Sequence, residues 1–450
     1  MKTYEDLLAV GQNERGRMDF IRSAVDEFKA SEGYKTAVVA EMYARKRNKT
    51  IEEYQKLLYT LSGQAVPDNY SANHKCKSGL FPYFVTQENS YLLGNGVSFR
   101  EDSTKGELGP GFDETILETG FWALVHGCAY LFYNAKRVHL FRMTEFAPLL
   151  SEKNGSICAG VRFWQVDGGK PMRYTLYEPD GYTEYIKRKD EDVQILRNKM
   201  PYKLLARVSE ADGTEIYGAA NYPSFPVVPL YGNKFHQSEF VGLREKIDCY
   251  DLIESGFAND VDDASLIYWT ISNAGGMDDI DLAKFIERMK VVHAALVEDD
   301  GAKAEAHTLE APYEARQAAL TALKADLYED AMALDVHALS AKNATATQIV
   351  AAYEPLNNKT DDYEAQVTRC IRGLLAVAGV DDVPAYTRSK IINQLEETQM
   401  VMLAAAHLDE ETLLKKLPWL TPEDVQAIME RRDTEDFNRF HGGRDGGYYV

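Results

Sequence analysis

The sequence has few long apolar runs, and its start is polar. No uninterrupted stretch approaches the ~18 apolar residues that a membrane-spanning helix needs, so we predict no transmembrane segment. The opening residues, MKTYEDLLAVGQNERGR, lack the apolar centre of a secretory signal. We therefore expect a cytoplasmic protein.

Cysteine is scarce and scattered. The five cysteines form no CxxC pair and have no metal-ligand spacing relative to the nine histidines. They are Cys76, Cys128, Cys158, Cys249 and Cys370. We predict that they are reduced, buried, small side chains and that the chain has no metal site.

Catalytic motifs and excess positive charge are also lacking. The sequence contains no GxxxxGK[ST], GxGxxG, HExxH or GxSxG motif and no EF-hand loop, so we predict no cofactor and no enzyme activity. The 50 Lys and Arg residues are outnumbered by 70 Asp and Glu residues, which gives a net charge of −20. This balance disfavours tight phosphate binding, although DNA could pass nearby without being held.

The first half reads as an α+β region. Charged helical patterns precede aromatic and β-branched runs that are separated by DGG, PDG and ADG turns, which predicts an antiparallel, meandering sheet. The run CAYLFYNAKRVHLF predicts a hairpin that turns at NAKR. Three prolines, at 223, 226 and 229, end this part.

A long acidic helix is predicted over 239–272. Its apolar residues recur at steps of three and four, the spacing of one helical face. They are Leu243, Ile247, Tyr250, Ile253, Phe257, Val261, Ala264, Tyr268 and Ile271. Such a stripe is compatible either with a core helix of a large monomer or with a helix that other molecules cover.

A compact module follows this helix and leads into a second long helix. The module contains a helical pattern, DDIDLAKFIERMKVV, and a short hairpin through HAALVEDDGAKAEAHTL. Pro312 opens the second helix, after which ALSAKNATATQIVAAYEP forms a polar loop and a helix that we predict to be interrupted at Pro355. Simpler alternatives are a helical hairpin with an elaborated loop and a surface linker.

Taken in order, these segments resemble the portal proteins, or head-to-tail connectors, of long-tailed double-stranded DNA bacteriophages. The segments that carry the resemblance are YLLGNGVSF, WALVHGCAYLFY, PLYGN, EKIDCYDLIESGFANDVDD, NATATQIVAAYEPLNNK and LDEETLLKKLPWLTPED. The resemblance rests on the order of these segments along the chain and not on any one of them. The alanine-rich second helix and the glycine-rich tail depart from the family pattern.

The resemblance implies an α+β protomer with a wing, two long stem helices, a small α/β clip and a helical crown. The implied boundaries are 1–237 for the N-terminal wing, 238–272 for the first stem helix, 273–310 for the clip, 311–334 for the second stem helix, 335–382 for the tunnel loop, kinked helix and C-terminal wing, 383–440 for the crown and 441–450 for a flexible tail.

The resemblance also implies a homo-oligomeric ring of about twelve copies around a DNA channel. Twelve chains at −20 each give −240, so an acidic bore would repel the duplex rather than bind it. The expected acidic stem face is Glu245, Asp248, Asp251, Glu254, Asp260, Asp262 and Asp263. The expected DNA-facing tunnel residues are Lys342, Asn343 and His337. The expected partner-binding clip residues are Lys284, Glu287 and Arg288.

The implied partners are the terminase large subunit, a head-tail adaptor, the major capsid protein and scaffold, with double-stranded DNA passing without sequence specificity and no membrane. The implied location is the portal vertex of the virion, reached from the host cytoplasm.

Two other hypotheses stay open at this point. One is a cytoplasmic enzyme with a pocket lined by Trp122, Tyr130 and Tyr133 that acts on a small or carbohydrate substrate, and the other is a coiled-coil scaffold.

Overall fold

The computed structural model describes most of the chain. The described residues are 1–11, 13–59, 62–69, 71–101, 103–189, 191–208, 215–264, 268–272, 280, 284, 303–307, 313–337, 346–389, 401–403, 405, 409–417, 420 and 425–432. Helices and antiparallel strands occur together, as the predicted α+β class requires.

The helices of the described chain are α1 Tyr4–Val10, α2 Glu14–Ala30, α3 Glu32–Ala44, α4 Lys49–Glu53, α5 Leu80–Leu93, α6 Ser103–Leu108, α7 Phe112–His126, α8 Arg244–Ala264, α9 Tyr313–Asp330, α10 Ala346–Ala378 and α11 Glu410–Lys416. The strands are β1 Leu57–Tyr59, β2 Ala65–Pro67, β3 Val97–Ser98, β4 Cys128–Tyr133, β5 Val138–Arg142, β6 Phe146–Leu150, β7 Ile157–Trp164, β8 Met172–Glu178, β9 Gly181–Lys187, β10 Gln194–Met200, β11 Lys203–Val208, β12 Glu215–Ala220, β13 Val227–Tyr231, β14 Tyr268–Ser272, β15 Lys303–His307 and β16 Ala385–Tyr386.

The chain divides into two compact units. The first comprises Met1–Ala333 and Asn358–Thr387, and the second comprises Leu334–Asn357 and Arg388–Val450. In the second unit, Asp409 caps α11 by accepting from the backbone N–H of Thr412. Residues 425–432 of this unit are helical. The rest of the predicted crown is described only in pieces, and the tail 441–450 lies outside the described residues.

One part of the first unit is a helical layer on an antiparallel meander. The sheet has the order β10-β9-β8-β7-β6, as the turn triplets predict. Helix α2 buries Phe20, Ile21, Ala24, Val25 and Phe28, which recur at helical spacing, against the inward residues of β7, β8 and β9. The apolar face of α2 therefore packs on the alternate, inward-facing residues of the strands, and the two sets form one core.

The larger core of the first unit lies among α3, α5, α7, the three-stranded sheet β13-β4-β5 and the second half of α10. The predicted hairpin is confirmed, because β4 and β5 pair from Tyr133–Val138 to Ala129–Arg142. Helix α7 ends at Gly127, whose φ of 89° is left-handed. A Cβ at Gly127 would lie 2.7 Å from the backbone of Gln237, so glycine permits both the helix stop and this close approach.

The first long helix is shorter than predicted. Helix α8 ends at Ala264, and Tyr268 and Ile271 belong to strand β14 instead. Strand β14 pairs antiparallel with β15, so the strand 303–307 pairs with the end of the segment that was predicted to be helical. The other arm of the hairpin that we predicted in the module lies outside the described residues. The aromatic and β-branched run YWTI favours a strand once it pairs with a neighbour.

Two further expectations need correction. Helix α10 runs without interruption through Pro355, whereas the sequence predicted a break there. Proline removes one backbone donor, and the rest of a 33-residue helix supplies enough hydrogen bonds and packing to continue. All five cysteines are free, and Cys128 and Cys370 are buried as predicted, but Cys249 is exposed.

Candidate assembly surface of the paired long helices

Helices α8 and α9 lie side by side in opposite directions. Lys246, near the start of α8, has its ammonium 2.5 Å from the carboxylate of Asp330 at the end of α9. Arg316, near the start of α9, lies 2.7 Å from the carboxylate of Asp260, near the end of α8. Both ion pairs are partly exposed and contribute little to stability, but they define an antiparallel register.

A groove of about 500 Å³ runs along this helix pair. Its lining includes Leu252 and Gly256 of α8, and Tyr54 from the segment before β1. A Cβ at Gly256 would come within 2.5 Å of the Arg316 guanidinium. Glycine at this position therefore leaves the space through which Arg316 reaches Asp260.

An extended segment, 74–78, is attached along α8. Three alternate backbone N–H groups of the segment donate to three side chains that lie four residues apart on the helix. The pairs are His74 to Asn259 at 2.6 Å, Cys76 to Ser255 at 2.9 Å and Ser78 to Asp251 at 3.0 Å. Two strand residues span about 6.6 Å and four helical residues about 6 Å, so the segment and the helix stay in register.

Asp251 is an internal residue of this arrangement. It is 1% exposed and also accepts a hydrogen bond of 2.8 Å from the side-chain amide of Asn48. Burial raises the pKa of Asp251, although these hydrogen bonds act in the opposite direction. The expectation that Asp251 lies on an acidic surface is wrong, because its own chain covers it.

The other acids of the predicted acidic face have different surroundings. Glu245 is exposed, Glu254 is half-buried, Asp248 accepts from Tyr43 and Thr50, Asp260 pairs with Arg316, and the exposed Asp262 lies 2.5 Å from the His74 ring. Burial raises the pKa of Glu254, with Asp251 adding to the effect. Asp263 lies on α8, but its side chain is outside the description. Only part of the acidic row is therefore available to a channel.

The apolar stripe is also divided along α8. Leu243 and Ile247 are buried in the larger core of their own chain. Val261, towards the other end, is 49% exposed. The first turns of the stripe therefore match the alternative of a core helix, whereas coverage of its end by other molecules stays a prediction.

A buried lysine joins the starting point of α8 to the end of α9. Lys359 of α10 lies 2.8 Å from the carboxylates of both Glu88, on α5, and Glu239, just before α8. It also donates to the backbone carbonyl of Ala331, just after α9. Burial raises the pKa of Glu88, whereas the two carboxylates raise the pKa of Lys359 against the effect of its burial. We call these residues the Lys359 junction.

The predicted tunnel and clip residues are only partly described. His337 is exposed and helical, and its backbone N–H donates to Asp335. Lys284 is exposed and helical. Lys342, Asn343, Glu287 and Arg288 lie outside the described residues. The acids of α8 thus have separate surroundings, and the described residues contain no cluster of tunnel or clip side chains.

The residues of the alternative enzyme pocket are packing residues. Tyr130 and Tyr133 are each 4% exposed; Tyr130 packs on Phe146, and the Tyr133 hydroxyl donates to the carbonyl of Glu107. Trp122 stacks on His126, with ring centroids 5.0 Å apart.

In the described part of the chain no group of His, Cys, Asp and Glu has the arrangement of a metal site. Among the described helices, none combines the length and apolar character of a membrane span.

Sequence reasoning missed the 74–78 attachment and the Lys359 junction. The spacing of Asp251, Ser255 and Asn259 at four-residue intervals was a usable signal, because it places three acceptors in one row on a helix. Lys359 gave no local signal, since its two carboxylate partners are far away in the sequence.

Comparison with known proteins gives a consistent result. A family model described as phage portal protein, SPP1 Gp6-like, matches residues 40–436. The portal protein of Clostridium phage phiCD119 is 26% identical over 238 residues, which cover 49% of this chain and 52% of that protein. The portal protein of Bacillus phage SPP1 is 21% identical over 422 residues, which cover 87% of this chain and 81% of that protein. The match thus spans about half the length of the Clostridium phage relative.

Solved structures with a similar chain include two necks of gene transfer agent particles. The neck of an empty particle, computed with C6 symmetry, has a TM-score of 0.45 at 10% identity and covers 78% of this chain and 90% of that one. The neck of a native particle, computed with C12 symmetry, has a TM-score of 0.42 at 11% identity and covers 78% of this chain and 89% of that one.

The segments that suggested a portal protein from the sequence alone all fall inside the region that the family model matches. Because that match extends over most of the chain, the chain belongs to the SPP1 Gp6-like family of phage portal proteins.

Proposed function

We propose that this chain assembles into a ring of about twelve copies at one capsid vertex, and that double-stranded DNA enters and leaves the capsid through its central channel. The observation that carries the proposal is the family match over residues 40–436. The antiparallel pair α8 and α9, continued by strands β14 and β15, supports it, because a helix pair of this kind suits a stem that leads into a small clip.

The charge of the chain fits a conduit. A net charge of −20 per copy gives the channel a field that keeps the duplex away from the wall, so DNA moves without being held. In this proposal Glu245 and the end of α8 contribute to the acidic stem face, and His337, Lys342 and Asn343 belong to the loop that approaches the duplex. A phage carrying Lys342→Ala that packages DNA at the normal rate would contradict the assignment of Lys342.

The proposed partners bind at different parts of the ring. The clip, which contains Lys284, Glu287 and Arg288, meets the terminase large subunit during packaging and a head-tail adaptor afterwards. The wing meets the major capsid protein and scaffold. The proposed location is the portal vertex of the virion after assembly in the host cytoplasm. The chain itself hydrolyses no ATP in this scheme, and ATP turnover by the pure protein would contradict it.

Electron micrographs of the purified protein test the ring directly. We expect annular particles with a central hole, and mass measurements that give about twelve chains per particle. Exclusively monomeric or dimeric compact particles, at all protein and salt concentrations tried, would overturn the proposal. The alternative of an enzyme has no supporting observation, because two of its three pocket residues are buried in the core.

A further inference from the structure

The hairpin formed by β1 and β2 exposes several large apolar side chains close together. Leu57, Leu58 and Tyr59 are 52%, 42% and 73% exposed, and Val66 on the partner strand is 38% exposed. No strand residue of the hairpin is buried. Exposed apolar surface concentrated in one small element is typical of a surface that another molecule covers.

Both faces of this hairpin are apolar. Leu58 pairs with Val66 on one face, while Leu57 pairs with Pro67 and Tyr59 with Ala65 on the other. In the described chain β1 and β2 pair only with each other, so each has a free edge. A two-stranded hairpin without further strands or a covering layer is marginally stable in water. Packing on a further surface would therefore also stabilise the hairpin itself.

The charge of the hairpin indicates what kind of surface that is. The sequence from 57 to 67, LLYTLSGQAVP, has no charged residue, although the chain as a whole carries 70 acids against 50 bases. A nucleic acid or an anionic lipid surface would require Lys or Arg at the contact. Copies of a chain with a net charge of −20 repel one another, so a neutral, apolar contact is where two of them can approach.

We propose that the β1–β2 hairpin is a contact between neighbouring copies of this chain, in which the apolar faces of the hairpin of one copy pack on the next. This inference rests on the proposed ring and names one of its adhesive surfaces. It assigns the 57–67 segment a role in assembly that is separate from the helix pair α8 and α9. In this proposal, assembly covers the part of these apolar side chains that is exposed in the single chain.

Substitution of the hairpin tests the proposal. In Leu58→Glu combined with Val66→Glu, two carboxylates replace one apolar face, and we expect the concentration at which rings are half-assembled to rise at least about tenfold, because charge would be buried between copies. The matched control is Val166→Glu combined with Gly168→Glu, since Val166 is 81% exposed and lies in the loop after β7. Mass photometry over a range of concentrations measures the assembly of all three proteins.

The outcomes are distinguishable. Rings of the wild type and the control with loss of assembly in the hairpin variant, at unchanged thermal unfolding of the monomer, support the proposal. Equal assembly of the hairpin variant and the wild type overturns the proposal and leaves the ring intact. A wild type that forms no ring at all contradicts the proposed function itself, and with it the hairpin contact.

A photo-crosslink gives an independent readout that needs no loss of assembly. We would place benzoylphenylalanine at Tyr59, and at Val166 as the control, in rings mixed from normal and ¹⁵N-labelled copies. Crosslinked peptides that join the two isotopic forms at position 59, and not at 166, support a contact between copies. Crosslinks confined to one isotopic form, or none, overturn it.

Discussion

Two carboxylates of the first unit, Glu41 and Glu88, differ in how many positively charged side chains lie beside them. Glu41, on α3, is 2.8 Å from the guanidinium of Arg45, 3.0 Å from that of Arg142 and 3.3 Å from the ring of His126. The His126 ring, and after it Arg45 and Arg142, lowers the pKa of Glu41 to about 2, although partial burial opposes the shift. Several donors thus serve one carboxylate.

At the Lys359 junction the balance is reversed, since one ammonium serves the carboxylates of Glu88 and Glu239. Burial raises the pKa of Glu88 to about 7 despite the nearby lysine. The comparison teaches that Glu41 has the guanidinium groups of two arginines beside it, whereas the junction where α8 begins and α9 ends depends on a single ammonium.

Removing that single cation has the largest expected effect. In Lys359→Met two carboxylates remain in the core without a counter-charge, and we expect a loss of about 3–5 kcal/mol in the free energy of unfolding. Urea unfolding of the monomer at neutral pH measures it. The control is Lys136→Met, whose ion pair with Glu107 is largely exposed, and for which we expect a change below about 1 kcal/mol. Equal losses in the two variants would contradict the role of Lys359.

At Glu41 the effect of a substitution depends on pH. The folded-state pKa of Glu41, about 2, lies below its ordinary value of 4.5, so its contribution is present above pH 4.5 and is lost as the pH falls through about 2. We expect Glu41→Gln to cost about 2 kcal/mol at pH 7 and progressively less towards pH 2. Urea unfolding of both proteins between pH 2 and 7 measures the difference. A difference that does not vary with pH would refute the assignment.

Asp251 sharpens the comparison, because its described hydrogen-bond donors, Asn48 and the backbone of Ser78, are neutral. In Asp251→Ala both donors lose a buried acceptor, and we expect a loss of about 1–2 kcal/mol. Asp262→Ala on the exposed side of the same helix should cost less than about 0.5 kcal/mol. Thermal and urea unfolding of the pair decide between a buried structural role and a surface role for Asp251.

The smallest effect is expected for Glu88→Gln. Lys359 keeps Glu239 as its partner, and the substitution removes a carboxylate whose folded-state pKa is raised. Stability that Glu88 contributes at low pH is lost as the pH rises through this raised value, so the variant should differ from the wild type by less than about 1 kcal/mol at pH 7. A loss as large as that of Lys359→Met would show that the two carboxylates do not share the lysine.

Local sequence patterns predicted much of the fold. The NAKR turn predicted the β4–β5 hairpin, because such an element depends on neighbours in the sequence. The end of α8 was predicted incorrectly, since Tyr268 and Ile271 continue a helical spacing while their pairing with 303–307 depends on residues far along the chain. The Lys359 junction and the burial of Asp251 were unpredictable for the same reason.

The attachment of residues 74–78 has a consequence for the orientation of α8. Three hydrogen bonds hold one side of the helix, at residues 251, 255 and 259. Rotation of the helix about its axis by one residue position, about 100°, would break all three. The rotation of α8 about its own axis is therefore fixed within the single chain, and the exposed Leu252 keeps one direction. The outward face of the helix does not need to be set by contact with another molecule.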